Sequence, residues 1–214
     1  MAGAAAKLTP IIPGTGLRVT TTMAKQGQDR GLETIMQAVH ASVKGPPPVD
    51  LWNPPFCGDI DLRIAADGTW FYQGTPIGRP ALVRLFASIL KREGDRYCLV
   101  TPVEKCGIRV DDAPFLAVEV RAEGGALRFR TNVDDEVVCG PDHALRFEPQ
   151  PNGGLKPYLH VRRDLWALAT RPVYYDLVDL GEERMVAGER WFGVGSQGAF
   201  FPMAPADQLE SLPE

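Results

Sequence analysis

Apolar residues recur at three- and four-residue spacing from Asp29 onward, at Leu32, Ile35, Met36, Val39 and Val43. That spacing predicts one amphipathic helix, with Asp29 near its start and Gly45-Pro46-Pro47-Pro48 as its stop. Beyond the prolines the period changes to two. Residues 59–64 and 69–72 read as strands joined by an Ala-Ala-Asp-Gly turn in which Gly68 takes positive φ. A second helical stripe, Leu82, Leu85, Phe86, Ile89 and Leu90, opens at Pro80, where a first turn tolerates the missing amide. Residues 97–101 and 107–110 read as further strands, interrupted at Pro102.

A second set of elements follows the turn at residues 111–114. Leu116, Val118 and Val120 alternate with polar or smaller neighbours. After a Gly124-Gly125 turn, Leu127, Phe129 and Val133 point inward while Arg128, Arg130 and Asn132 form an outward polar row. Residues 144–148, 155–160, 173–178, 191–194 and 199–201 add strands, and residues 164–170 form a short helix ended by Pro172. The halves echo one another: Leu62-Arg63, a glycine turn, a strand and residues 77–85 run beside Leu145-Arg146, Gly153-Gly154, a strand and residues 161–169, with Ile77 facing Val161. The pattern therefore predicts an α+β fold of two tandem related units, residues 29–113 and 114–205. Residues 1–28 are expected to be a disordered extension and 206–214 a tail.

Composition narrows the setting. The 214 residues carry 27 acidic and 23 basic side chains, a formal charge of −4, with the bases dispersed among acids. No phosphate-backbone footprint arises from that, so no nucleic acid polymer is expected as a partner. No apolar run approaches the ~18–20 residues of a membrane span. The first 22 residues lack the basic start and apolar core of a secretory signal, and Met23 could serve as the start. Cys57, Cys98, Cys106 and Cys139 show no CxxC spacing, which points to reduced thiols in the cytoplasm.

Candidate chemistry concentrates in residues 51–63, LWNPPFCGDIDLR. Pro54 and Pro55 hold Trp52 and Asn53 extended, and Asp59 and Asp61 share one face of a strand. That pair suits metal ligation or acid/base work; the bland reading is a turn cap and an ion pair with Arg63 or Arg79. Cys57 would need a base for nucleophilic work, and His40, His143 and His160 are the only histidines. Thr101 and Lys105 leave the sheet at the bend made by Pro102. His160, Arg162 and Arg163 precede the expected short helix, whose start would favour an anion; alternatively the arginines pair with Asp164 or Asp176. The glycines at 193–198 do not form a dinucleotide fingerprint and suit a loop between two closing strands.

The runs WNPPFCGDIDLRIAADGTWFYQGTPIGRPALVRLF, YCLVTPVEKCGI, FRTNV and PYLHVRRDLWALATRPVYYDLV together resemble the bacterial family called domain of unknown function 1285. The resemblance implies a duplicated core of two α+β units, the second loosely similar to a pleckstrin-homology barrel. It also implies a ligand site at the interface of the units, for a nucleotide-like molecule, and a role in signalling. No activity comes with it. Cys106 stands where relatives are expected to carry an aliphatic residue, which argues against a thiol role.

These readings combine into one expectation: a non-enzymatic ligand-binding or signalling module, without cofactor or metal, that holds a small nucleotide-like anionic molecule between its units. Trp52, Asn53, Phe56, Asp59, Asp61 and Arg79 from the first unit, Thr101 and Lys105 from the bend, and Asn132 and Arg162 from the second would line the groove. One rival is a metal-dependent hydrolase or transferase using Asp59, Asp61 or Glu104. The other is a protein-interaction module whose exposed edges meet a partner or a second copy, giving a homodimer.

Overall fold

The structure is a computed structural model that describes residues 47–151 and 154–207. The helix expected at 29–44, the extension before it and residues 208–214 lie outside the described residues.

The first half opens with a 3-10 turn, Val49–Leu51, and continues as β1 (Phe56–Ile64), β2 (Trp70–Tyr72), β3 (Thr75–Pro76), α1 (Pro80–Ser88), β4 (Leu90–Glu93), β5 (Arg96–Val100) and β6 (Lys105–Val110). Its six strands form one sheet in the order β3-β2-β1-β6-β5-β4. Every pairing is antiparallel except β1 with β6, which are parallel neighbours at the centre. A parallel pair needs a long return connection, and α1 with the β4–β5 hairpin supplies it. Leu62, Ile64, Trp70, Phe86, Leu90 and Leu99 are buried on one face. There α1 seals the sheet, with Phe86 stacked on Trp70 at 6.3 Å.

The second half comprises β7 (Phe115–Glu123), β8 (Ala126–Thr131), β9 (Glu136–Val138), β10 (Leu145–Pro149), β11 (Leu155–Arg162), β12 (Leu165–Ala169), α2 (Arg171–Asp179), β13 (Glu182–Val186), β14 (Glu189–Ser196) and β15 (Ala199–Pro205). A six-stranded sheet runs β10-β11-β12-β7-β8-β9, again with one parallel pair, β12 with β7, at its centre; β13, β14 and β15 form a separate antiparallel sheet. The large sheet curls, so that β15 lies beside β10 and β14 beside β8. Ser196 fastens the curl: its buried Oγ donates to the Cys139 carbonyl at 2.6 Å and accepts from the Leu127 amide at 2.9 Å.

Five expectations are corrected. Residues 164–170 are not a helix: Leu165, Ala167 and Ala169 are buried in alternation with half-exposed Trp166 and Leu168, the period of strand β12. Residues 173–178 are not a strand but most of α2, because Pro172 sits in the first turn and Val173 and Leu177 bury one helical face. The match of Ile77 with Val161 falls with them, since Val161 lies within β11 whereas Ile77 precedes α1. In β7 the buried positions are Phe115 and Ala117, not Leu116 and Val118. A register shift between Ala117 and Glu119 then brings Val120 opposite Phe129, so the apolar alternation changes face at a bulge. Ile89 and Leu90 leave the α1 stripe, and Leu90 begins β4 opposite Leu99.

The halves meet through polar contacts as well as core. Arg162 donates to the Ala87 carbonyl at the end of α1 at 2.9 Å, pairs with Asp135, and lies 4.8 Å over the Phe115 ring. Asp112 accepts from Tyr158 Oη at 2.6 Å and from Lys156 Nζ. Arg163 reaches Asp50 at 2.9 Å, Arg84 reaches Asp134 at 2.9 Å and Arg92 reaches Asp164 at 3.4 Å. Gly68, at φ +78°, packs its bare Cα against Asn132 and Leu116, and a Cβ there would lie 2.8 Å from Asn132 Nδ2.

Gly68 and Gly74 separate two costs. Both have positive φ, but Gly74 faces open space. Gly74→Ala should cost about 1 kcal/mol, the backbone share alone. Gly68→Ala should cost about 2 kcal/mol or more, because the junction must also give way. Urea midpoints of the two variants check the difference.

Candidate functional site

The proline turn and the start of β1 set the geometry. Lys105 donates its amide to the Pro55 carbonyl at 3.1 Å, which ties the Pro-Pro segment to β6. Phe56 then pairs with Lys105 and Asp59 with Gly107, three steps along β1 against two along β6. Gly58, at φ +102°, absorbs the extra residue. A second slip follows, because Arg63 pairs with Arg109, four steps against two. Between these slips β1 pulls away from regular pairing.

An open depression of about 480 Å³ occupies that place, lined by Asp59, Asp61, Asp95, Arg96, Tyr97 and Arg109 together with the apolar Ile60, Leu62, Ile108 and Val110. Gly107, the partner of Asp59 in the strand pairing, lies next to it. A Cβ on Gly107 would collide with Asp59 Oδ1, so the Asp59 carboxylate lies directly over the bare Cα. Cys98 pairs with Gly107 beneath it, and burial pushes the Cys98 thiol up. Arg96 stacks 4.7 Å above the Phe56 ring at one rim. Asp59, Asp61 and Arg109 are exposed and their side chains have no hydrogen-bond or ion-pair partner among the described residues, whereas Asp95 approaches Arg92 at 3.7 Å.

The ten residues singled out from sequence do not share one cavity: Asp59 and Asp61 line the depression, Phe56 borders it through Arg96, and the others lie elsewhere. Trp52 is half-buried, and Asn53 and Arg79 are exposed. Thr101 is fully buried. Its hydroxyl donates to the Glu104 carbonyl at 3.2 Å and accepts from the Glu104 amide at 3.1 Å, so it builds the turn. Lys105 donates to Glu93 at 2.6 Å; that bond, with a weaker one from Lys91, holds the Glu93 carboxyl below its usual range. Asn132 accepts from the Leu116 amide at 3.0 Å and pins a strand turn. Arg162 is the junction residue described above. Sequence reasoning missed Arg96, Arg109 and Gly107. Their signal is that Cys98 and Gly107 share a strand face with Asp59, legible only once the β5–β6–β1 order is known.

Cys98, Cys106 and Cys139 are buried, and Cys57 is exposed. Burial pushes the Cys106 thiol to about 11 and the Cys139 thiol to about 12. A thiol held so high carries little thiolate at neutral pH. Among the described residues no group of three or more His, Cys, Asp and Glu side chains is arranged to hold a metal. Glu104, proposed with Asp59 and Asp61 for a metal, sits in the Thr101 turn outside the depression, with Oε1 buried and unpartnered. Burial raises its carboxyl above the ordinary value.

The described residues form two tandem domains, mostly β with two helices and a half-barrel in the second part. Residues 47–113 match the family model "Domain of unknown function (DUF1285), N-terminal domain", and residues 114–203 match "Protein of unknown function (DUF1285), C-terminal domain". The chain belongs to the DUF1285 family. It is similar to the crystal structure of a DUF1285 family protein from Silicibacter pomeroyi DSS-3, at 55% identity and TM-score 0.73, over 82% of this chain and 97% of that one. A DUF1285 family protein from Shewanella baltica OS155 is 33% identical over 55% of this chain and 89% of its own, with TM-score 0.45. No curated protein matches the chain. No helix among the described residues is long and apolar enough to cross a membrane.

Two substitutions test this geometry. Gly107→Ala should destabilise by about 1–3 kcal/mol through overpacking against Asp59. Adding Asp59→Ala should recover at least half, since it removes the obstructing carboxylate; a double-mutant cycle in urea reads the coupling. For Glu104 the folded carboxyl binds its proton more tightly than the unfolded one. Its charging therefore opposes folding as pH rises above about 4.3, and the penalty is complete once pH exceeds the raised folded value. Glu104→Gln should raise the melting temperature at pH 7 and change it least at pH 4, as scanning calorimetry at both pH values would show.

Proposed function

We propose that this chain is a non-enzymatic, cytoplasmic ligand-binding module of a signalling kind, whose small charged ligand rests in the depression beside Asp59 and Asp61. The observation that carries the reading is the double slip of β1 against β6. It opens a polar hollow in a paired sheet and leaves two carboxylates and a guanidinium there without partners. Bulges commonly re-aim side chains at sites in this way. Four cysteines without a disulfide fit the cytoplasmic setting.

The crevice between the halves, expected from the sequence as the ligand site, has its polar groups engaged with one another. Arg162 has Asp135 and the Ala87 carbonyl, and Asn132 has the Leu116 amide. Breaking those bonds for a ligand would cost about as much as a buried hydrogen bond to a charged group contributes, roughly 1.5–3 kcal/mol each. That cost favours the depression. A protein-interaction role has one supporting observation, the exposed apolar side chains Tyr175, Val178, Leu180 and Met185 on α2, after it and on β13.

We also read the halves as a duplication, the second loosely pleckstrin-homology-like. Two strands, a helix and three strands recur, β1, β2, α1, β4, β5, β6 beside β11, β12, α2, β13, β14, β15, with β3 as an insertion in the first copy. The sequence follows the same alignment. Leu62, Ile64, Trp70 and Arg79-Pro80 stand against Leu159, Val161, Trp166 and Arg171-Pro172, and Gly94-Asp95-Arg96-Tyr97 stands against Gly188-Glu189-Arg190-Trp191.

A thermal-shift screen of the whole chain over small metabolites tests the binding role. A ligand at about 100 times its dissociation constant should add about 2.7 kcal/mol. Asp61→Asn with Arg109→Gln should abolish the shift and Arg162→Ala with Asn53→Ala should leave it. The reverse dependence would move the ligand to the crevice, and metal-dependent turnover would replace binding by catalysis.

A further inference from the structure

We propose that the molecule held in the depression is a zwitterion of dipeptide size, carrying an ammonium toward β1 and a carboxylate toward β5 and β6; this rests on the reading of the depression as the ligand site. The lining separates charge by strand. Asp59 and Asp61 stand on β1, Arg109 on β6 and Arg96 just beyond it on β5. Strands lie about 4.8 Å apart, so one and two strand spacings put the opposite charges about 5–10 Å from each other. The Asp59 carboxylate lies over the bare Cα of Gly107, which places one negative charge at the seam of β1 and β6.

Charge balance selects against a polyanion. Three aspartates against two arginines leave the lining at a formal −1. A di- or triphosphate would gain Arg96 and Arg109 while facing Asp59 and Asp61, which have no cation of their own among the described residues. A cation alone would satisfy the acids and meet two guanidiniums. An extended dipeptide spans about 7 Å from its ammonium to its carboxylate at ~3.3–3.6 Å per residue, within the required separation. Its single peptide unit would lie between the two charges. Arg96 is already ordered over Phe56 at 4.7 Å, so less freedom is lost when it meets a carboxylate.

Amide chemical shifts of the full chain in two-dimensional NMR provide the test, with glycylglycine, N-acetylglycylglycine, glycylglycine amide and inorganic pyrophosphate as probes. Glycylglycine should shift the amides of Asp59, Asp61, Gly107 and Arg109 saturably. Either blocked dipeptide should bind at least tenfold more weakly. Asp59→Asn with Asp61→Asn should remove the response while leaving the spectrum elsewhere unchanged. Equal binding of the acetylated dipeptide, or stronger shifts of the same amides by pyrophosphate, would overturn the zwitterion while the ligand site stands. Silence of those amides toward every probe would overturn both.

Discussion

The parallel contact between β1 and β6 is the constraint on which the first half depends. It closes a sheet whose two hairpins, β2–β3 and β4–β5, would otherwise be separate pieces, and it does so at the sheet centre, where both neighbours are fixed. The strands arrive with unequal residue counts, so the excess on β1 has to be accommodated. Gly58 takes the bulge and Gly107 accepts the side chain that the bulge turns over it. The hollow beside Asp59 and Asp61 is thus a by-product of closure. Its polarity follows, because a solvated sheet face carries charged residues and the slip leaves those charges unpaired.

The contact between halves is of another kind. A guanidinium that binds a helix-terminal carbonyl, a carboxylate and an aromatic face at once is held by planar geometry that lysine lacks. Arg162 also joins elements distant in the chain, the end of α1, the turn before β9 and the start of β7. Tyr158 adds to this: burial first, and its bond to Asp112 second, raise the phenol above its ordinary range, so the hydroxyl stays a donor to Asp112. The halves are therefore locked by oriented hydrogen bonds as well as by core packing.

Much of the first half was legible because it alternates cleanly. Leu62 and Ile64 are buried with Asp59, Asp61 and Arg63 opposite, and the Pro80 start of α1 stands as read. The second half misled at Pro172, which permits a helix to begin as readily as it ends one, and at β12, where Leu-Trp-Ala-Leu-Ala carries no polar residue to mark a period. The strand pattern of β7 is broken by its bulge, so no single period describes it. Of the site, the acids of β1 were visible from period two. The arginines on β5 and β6 were not, because a strand order that places the sixth strand beside the first is a long-range fact. Asp59 and Asp61 are informative in sequence, but which charges face them is settled by topology.

The hairpin loops imply an order of folding. Gln73-Gly74, Gly124-Gly125, Ala187-Gly188 and Gln197-Gly198 each place two consecutive residues at positive φ, the two-residue connection whose twist matches that of paired strands. Such ribbons need only neighbours in the chain and form on a microsecond scale. The parallel pairs β1–β6 and β7–β12 each close a loop spanning most of a half, and the entropy lost in that closure is recovered only afterwards. The rate-limiting step of acquiring this structure is therefore expected to be the joining of preformed ribbons, with the ligand hollow among the last features to take shape.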